Sequence, residues 1–220
     1  MEDNEYLDTQ INTLKDPIGS TITQRAAIIQ SIAIELRNDG DVRAIEPLIE
    51  VLTNLKPNAK NRYAREEIVK ALGEFEDERA VEILIISLED KNEHIRSNVA
   101  QALGRIGAAQ SVVPLIRTLN DKYWFARCRA AEALGKIKDK QATDSLIDLL
   151  KDDHVRKDAA WALGEIGDTK AVKPLIDALG EENEHIRGLQ ARLPGPGDNL
   201  DNWSNLDRPV ALALIKLGIF

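Results

Sequence analysis

The segment that decides the fold reads Val155-Arg156-Lys157-Asp158-Ala159-Ala160-Trp161-Ala162-Leu163-Gly164-Glu165-Ile166-Gly167. Its central tripeptide, Ala-Leu-Gly, recurs along the chain at 71–73, 102–104, 133–135 and 162–164, in steps of 31, 31 and 29 residues. Self-similarity at a nearly fixed period of this size is typical of repeat proteins, in which every unit is one supersecondary motif. The chain is therefore predicted to be a stack of short repeats.

Each repeat carries the hydrophobic spacing of two helices, as residues 77–107 illustrate. The apolar face of the first helix consists of Ala80, Val81, Leu84, Ile85 and Leu88. After a polar turn, the second helix presents Ile95, Val99, Ala100, Leu103 and Ile106, and Gly107 stands where a C-terminal cap is expected. Two helices of this length cannot bury their apolar faces alone, so the repeats are predicted to stack into an all-α fold, an α-solenoid.

Glycine and proline occupy fixed places in the repeat. The Gly of Ala-Leu-Gly lies inside the second helix, where it costs about 1 kcal/mol relative to Ala, so its recurrence predicts close contact between neighbouring helices. Pro47, Pro114 and Pro174 fall within the first helix. Because proline lacks a backbone N–H, we expect it either in the first turn or at a bend.

An Arg stands eight residues before each of these glycines, and an Asp usually lies in the preceding turn. The arginines are Arg65, Arg96, Arg127 and Arg156, with Arg187 at the matching place of the last repeat, and the turn residues are Asp90, Asp121 and Asp152. We interpret the Arg as a structural group that bonds turn carboxylates and carbonyls of adjoining repeats. The alternative is an anion-binding ladder.

The repeat motif resembles the HEAT-like repeats of the phycobilisome-lyase (PBS lyase) type. The resemblance covers about residues 41–190 and is carried by Asp152, Val155-Arg156, Ala159-Ala160, Ala162-Leu163-Gly164, Ile166-Gly167-Asp168 and Ala171 to Leu179. It implies a right-handed superhelix of antiparallel helix pairs whose second helices line a concave face. Such repeats occur in bilin lyase subunits, in an iron-dependent hydroxylase family and in many binding scaffolds.

We predict about six repeats over residues 1–193, of which the first, 1–40, is irregular. Pro194 then stands where Leu of Ala-Leu-Gly should be, so we expect a loop and a C-terminal capping helix over 194–220, with the helix at 207–218 and Trp203 packed on the sixth repeat. An altered chain end is the alternative to a native cap.

The outward positions of the second helices collect most of the aromatic and imidazole side chains. Aromatic and Arg side chains supply binding hot spots, so we predict a partner-binding surface there. Its residues are Tyr63, Glu67, His94, Asn98, Gln101, Trp124, Phe125, Arg129, His154, Asp158, Trp161 and His185. The alternative is that the aromatic side chains fill gaps between repeats.

No residue pattern predicts catalysis, a cofactor or a metal site. The His are at least one repeat apart, too far to share an ion. The hydroxylases of this repeat class use His-Glu steps, whereas this chain has the reversed order Glu93-His94 and Glu184-His185. Cys128 lies beside Arg127 and Arg129, which would favour a reactive thiolate, but a lone Cys is more often inert.

The composition and charge of the chain limit the classes of protein to which it can belong. A net charge of −8 argues against nucleic acid as a partner, and a single Cys excludes an internal disulfide. The acidic N-terminus and the lack of a long apolar run predict a cytoplasmic protein without a signal peptide or membrane contact. We therefore expect a non-enzymatic scaffold that binds a protein on the concave face. The alternative is a bilin lyase subunit or another phycobiliprotein-processing factor, with a phycobiliprotein as partner.

Overall fold

The computed structural model describes residue 9 and residues 42–57, 61–178 and 207–218. Every regular element in these ranges is a helix, and the chain divides into two compact units, Met1–Ser111 and Val112–Phe220. Apart from Thr9, the predicted first repeat lies outside the described residues, as do His185, Arg187, Pro194 and Trp203.

The first unit contains two described helix pairs. Its α-helices are α1 (Ile45–Asn54), α2 (Arg62–Phe75), α3 (Val81–Ser87) and α4 (Glu93–Ile106). Helix α1 packs against α2, α3 packs against α4, and the second helices α2 and α4 pack side by side. The predicted faces are buried at Leu84, Ile95, Val99 and Leu103, whereas Ile85 and Ile106 are half-buried.

The second unit continues the same arrangement. Its α-helices are α5 (Val112–Thr118), α6 (Trp124–Ile137), α7 (Thr143–Asp148), α8 (Arg156–Ile166), α9 (Val172–Ala178) and α10 (Asp207–Lys216). Helices α6, α8 and α10 pack in succession, with α5 against α6, α7 against α8 and α9 against α10. The fold is an all-α solenoid, as the repeat pattern predicts.

A 3₁₀ turn precedes each first helix, and an Asp caps several of these turns. Asp77, Asp139 and Asp168 each accept a hydrogen bond from the backbone N–H two residues later, at 2.8–3.1 Å. The three prolines are the third residues of α1, α5 and α9. Of the two predicted places for proline, the first turn is therefore the observed one, where a backbone N–H has no partner inside the helix.

The second helices end on a residue in the left-handed conformation. Gly107, Gly167 and Gly218 take this place with φ values of 74°, 71° and 73°. The predicted cap at Gly107 is thereby confirmed. After α2 and α6 the same conformation falls on side-chain-bearing residues, Glu76 at φ 52° and Lys138 at φ 62°. For residues with a Cβ this conformation is strained.

Replacing Glu76 by Gly is expected to raise the free energy of unfolding by about 0.5 kcal/mol. Gly removes the steric strain of about 1–2 kcal/mol. Part of this gain is lost because Gly raises the conformational entropy of the unfolded chain. Urea unfolding followed by circular dichroism measures the change. The control is Lys136→Gly inside α6, which is expected to lose about 1 kcal/mol; equal losses in both variants would contradict the strain.

The recurring Gly of Ala-Leu-Gly marks where neighbouring second helices touch. A Cβ placed on Gly73 would lie 2.5 Å from Cβ of Ala102, and one on Gly135 would lie 2.8 Å from Cα of Ala162. Both distances are well below van der Waals contact, so only Gly fits between these helices. The predicted close approach is confirmed within each unit.

Helix α10 occupies the second-helix place of the pair begun by α9. Ala213 lies against Gly164 as Ala162 lies against Gly135, with a hypothetical Cβ on Gly164 only 2.7 Å from Cα of Ala213. The spacing of Ala213, Leu214 and the left-handed Gly218 matches that of Ala162, Leu163 and Gly167. In this register Ile215 stands where the other second helices have Gly. The sequence predicts a helix here, but not its equivalence to the other second helices.

Arg65 and Arg127 each bind a turn Asp 25 residues further along, whereas Arg156 donates to Asp153. Arg65 donates to Asp90 at 2.7–2.9 Å and to the carbonyl oxygen of Leu55 at 2.7 Å, and the side chains of both ion-pair partners are buried. The other carboxylate oxygen of Asp90 accepts a hydrogen bond from the backbone N–H of Asn92, at 2.9 Å. One carboxylate therefore shapes its own turn and also holds the preceding repeat.

The second unit repeats this bond with Arg127 and Asp152. The two groups are 2.7 Å apart, and Arg127 also donates to the carbonyl oxygen of Asp121 at 2.8 Å. Burial opposes ionisation of Asp152, but hydrogen bonds from Arg127 and from the backbone N–H of His154 outweigh it and lower its pKa. These donors are used inside the fold, so the structural interpretation of the Arg holds in place of the anion-binding ladder.

Candidate functional site

The predicted surface residues of the first unit lie on α2 and α4. Tyr63 is 58% exposed, and the guanidinium carbon of Arg62 lies 5.4 Å from the centre of its ring. Glu67 pairs with Lys70 at 2.8 Å on the same helix. His94, Asn98 and Gln101 follow one another on α4 at helical spacing and are all half-buried. This part of the surface is polar, with Tyr63 as its exposed aromatic group.

In the second unit the predicted residues form two adjacent rows. The row on α6 consists of the predicted residues Phe125 and Arg129, followed by Glu132, which is not among the predicted residues. The row on α8 and its preceding turn is His154, Asp158 and Trp161, all of them predicted. Within each row the members are four and then three residues apart, so their side chains share one helix face. Since α6 packs against α8, the rows are neighbours. We call this set the two-row surface.

An aromatic cluster forms one end of the two-row surface. The ring centre of Trp124 lies 5.5 Å from that of Phe125, in an edge-on arrangement, and 5.6 Å from that of His154. Tyr123 joins the cluster at 6.3 Å from Phe125. Trp124 is nevertheless 44% exposed. Sequence reasoning passed over Tyr123, although the run Tyr123-Trp124-Phe125 was a visible signal.

Arg129 is held by two neighbours on its own helix. Its guanidinium carbon lies 4.7 Å from the centre of the Phe125 ring, and its Nη1 donates to Oε2 of Glu132 at 2.7 Å. The guanidinium group of Arg129 therefore already interacts with an aromatic face and a carboxylate of its own chain. Its charge is already compensated within the row.

Trp161 lies partly against the preceding repeat. A Cβ placed on Gly135 would come within 2.6 Å of Cζ3 of Trp161, so the absence of a side chain at Gly135 makes room for the indole ring. The rest of Trp161 is half-exposed. The two interpretations of the aromatic side chains, packing and partner binding, both find support at this residue.

Cys128 lies beneath the two rows and is buried. Its Sγ donates to the carbonyl oxygen of His154 at 3.4 Å. Burial and the neighbouring carboxylate of Asp158 raise the pKa of the thiol far above its ordinary value, and the opposing effect of Arg127 is smaller. The idea of a reactive thiolate at Cys128 is therefore wrong, because the thiol stays protonated at neutral pH.

Asp158 is a half-buried carboxyl group in the middle of the surface. Burial is the largest influence and raises its pKa above the ordinary value of 3.8; the charge of Glu132 acts in the same direction, while Cys128 and Arg129 oppose it. Within the described part of the chain Asp158 forms no ion pair with Lys, Arg or His. Its negative charge is consequently the least compensated one on the two-row surface.

Replacing Asp158 by Asn is expected to stabilise the fold at neutral pH. A carboxyl group with a raised folded-state pKa loses stability when it ionises, so the wild-type free energy of unfolding falls as pH rises through that pKa. The gain in Asp158→Asn should therefore be present at pH 7 and vanish near pH 3, below the unfolded pKa of about 3.9. Denaturant titrations at both pH values measure it.

The control for this prediction is Asp152→Asn, which should behave in the opposite way. The pKa of Asp152 is lowered, so its charge stabilises the fold above the ordinary pKa, and that contribution is lost as pH falls through the lowered value. Asp152→Asn is thus expected to destabilise the chain at pH 7. A pH-independent effect of Asp158→Asn would contradict the assigned environment.

Among the described residues, no group of three or more His, Cys, Asp or Glu side chains is placed to hold a metal ion. No helix in these ranges combines the length and apolar character needed to cross a bilayer. The two-row surface presents aromatic rings, one compensated cation and two carboxylates, which are groups that can recognise a partner by contact and charge.

The fold and its repeated Arg–Asp bond define the class, α-solenoid repeat proteins. The family model for HEAT repeats matches residues 45–127 and 112–192, and the chain belongs to the HEAT-repeat family. The match is to HEAT repeats in general and not to the phycobilisome-lyase type. A search of curated proteins finds no significant match.

Solved structures of similar fold include natural and designed solenoids. The Escherichia coli protein YibA is 19% identical, with a TM-score of 0.64 over 98% of this chain and 68% of that one. A designed armadillo repeat protein, solved in complex with peptide (KR)4, is 16% identical, with a TM-score of 0.63 over 96% and 99%. An engineered protein is 20% identical, with a TM-score of 0.60 over 96% and 97%. At these identities the likeness concerns the fold.

Proposed function

We propose that this chain is a non-enzymatic protein-interaction scaffold and that its partner binds the face formed by the second helices. The observation that carries the proposal is the half-exposed Trp124, whose ring lies in a cluster with Phe125 and His154, beside Arg129. A large aromatic ring half in water, supported by rigid neighbours, is typical of an interface hot spot, because it buries much area with little loss of conformational entropy.

The repeat architecture supports the same proposal. Within each unit, neighbouring second helices pack side by side. A surface made of several parallel-running helices suits a protein or peptide segment better than a small molecule. The designed armadillo protein of similar fold was solved with a peptide bound, so this class of fold is suited to such a ligand. The described part of the candidate site that offers most apolar contact is the two-row surface.

The test is affinity capture from a lysate of the source organism with wild type, Trp124→Ala and a control. The control is Ile86→Ala, which removes a 62% exposed side chain from α3, the first helix of its repeat. We expect Trp124→Ala to weaken partner binding by at least about tenfold, and Ile86→Ala to leave it unchanged. Equal loss, or no loss, in the two variants would place the partner elsewhere.

The alternative function is a bilin lyase subunit or another phycobiliprotein-processing factor. It rests on the resemblance of the repeat motif to the phycobilisome-lyase type. The same capture experiment tests it, because a phycobiliprotein in the eluate would show visible absorbance. A colourless eluate that contains a partner dependent on Trp124 would favour the scaffold.

A further inference from the structure

We propose that the two-row surface binds a partner segment that carries an Arg or Lys side chain, whose cationic head pairs with Asp158 between the aromatic groups. The inference rests on the proposed function and adds the chemical class of the partner segment. Three features of the second unit support it: a carboxylate without an ion-pair partner among the described residues, aromatic residues before and after it in its row, and a cation that is already paired.

The carboxylate of Asp158 is the natural counter-charge for an incoming cation. It lies in the middle of its row, half-buried, and has no ion-pair partner among the described residues. Burial disfavours ionisation of Asp158 most, and the charge of Glu132 on the neighbouring row adds to this effect, while Cys128 and Arg129 oppose it. A guanidinium or ammonium group placed here would relieve this repulsion and form charge-assisted hydrogen bonds in a partly desolvated place.

Aromatic rings flank this carboxylate along the surface. Trp161 is three residues from Asp158 on α8, and His154, which contacts the ring of Trp124, is four residues before it. Cations are attracted to the faces of aromatic rings, most strongly to Trp, and the long stems of Arg and Lys pack well on apolar surface. A carboxylate between His154 and Trp161 on the same row therefore fits a basic side chain.

An acidic partner segment would meet no unpaired cation on the two-row surface. Arg129 is the basic member of the two-row surface, and it is bound to Glu132 and stacked on Phe125. An incoming carboxylate would have to displace Glu132 and would face Asp158. The net charge of −8 for the whole chain also attracts basic partners and repels acidic ones.

The experiment selects binders from a phage-displayed library of random 12-residue peptides on immobilised full-length chain. Selection on wild type is compared with selection on Trp124→Ala, so that only peptides dependent on the two-row surface are kept. We expect these peptides to be enriched in Arg or Lys at a common position. The strongest peptide is then synthesised and its Kd is measured by fluorescence anisotropy.

The matched charge variants are Asp158→Asn and Asp153→Asn. Both remove one negative charge from the same short segment, but Asp153 is 83% exposed and pairs with Arg156. Asp158→Asn is expected to weaken the selected peptide by at least about tenfold, the size of a lost charge-assisted bond. Asp153→Asn should change the Kd by less than about twofold.

The outcomes separate this inference from the proposed function. Trp124-dependent peptides without basic enrichment, or with the same Kd for Asp158→Asn and wild type, would overturn the cationic partner and leave the scaffold standing. A selection that yields no Trp124-dependent peptide would overturn both. Basic peptides that lose affinity only with Asp158→Asn support the assignment.

Discussion

Replacing Arg65 by Met is expected to lower the free energy of unfolding by about 3–5 kcal/mol, because it leaves the carboxylate of Asp90 buried without its cation. The side chains of Arg65 and Asp90 are only 8% and 2% exposed, and Arg65 also donates to the carbonyl oxygens of Leu52 and Leu55. Equilibrium unfolding in urea, followed by circular dichroism, measures the loss.

The control for this effect is an ion pair of the same chemistry at the surface. Arg79 pairs with Asp77 at 2.9 Å, but the side chains are 43% and 25% exposed. Arg79→Met should therefore cost no more than about 1 kcal/mol. The double variant Arg65→Met/Asp90→Asn should recover part of the loss, since it removes the unpaired charge. If Arg65→Met and Arg79→Met cost the same, the Arg–Asp bond does not hold the repeats together.

Replacing Gly73 by Val is expected to destabilise the chain by about 3 kcal/mol or more. Its Cβ alone would lie 2.5 Å from Cβ of Ala102 and 2.8 Å from Cα of the same residue. Relief requires helices α2 and α4 to move apart, which disturbs an otherwise close-packed contact. Thermal and urea unfolding both report the change.

A second substitution tests whether the contact with Ala102 is the cause. Ala102→Gly removes the Cβ that the new side chain at position 73 would meet, so Gly73→Val/Ala102→Gly should lose less than the sum of the single changes. Lys70→Ala, on the outer side of α2, serves as the control and should stay within about 0.5 kcal/mol. Strict additivity of the two substitutions would contradict a direct contact between the helices.

Much of the fold could be predicted because the repeat constrains each position several times. The predicted C-terminal cap is observed at Gly107, and the glycines of Ala-Leu-Gly lie where two helices touch. The role of α10 was harder to predict. Its Ala213, Leu214 and Gly218 keep the repeat spacing, but Ile215 replaces the Gly, and the chain between α9 and α10 interrupts the period.

The candidate site was predictable in membership but not in detail. Helical spacing identifies which side chains share a face, so Phe125, Arg129 and Glu132 could be grouped from the sequence. The orientation of each side chain depends on the adjacent helix. The pair of Arg129 and Glu132 is three residues apart on one helix and therefore lies within reach of that spacing. The contact between Cys128 and Asp158 depends on packing between α6 and α8, and no pattern along one helix contains that information.

The Arg–Asp bonds have a consequence for the order in which the chain folds. Each joins residues 25 positions apart, so forming one closes only a short loop. Gly164 and Ala213, which are in contact, are 49 residues apart in the sequence (213 − 164), whereas Gly73 and Ala102 are 29 apart (102 − 73). Because loop-closure entropy grows with length, α10 should dock after its neighbours and open before them. Amide protons of α10 are accordingly expected to exchange with solvent faster than those of α8.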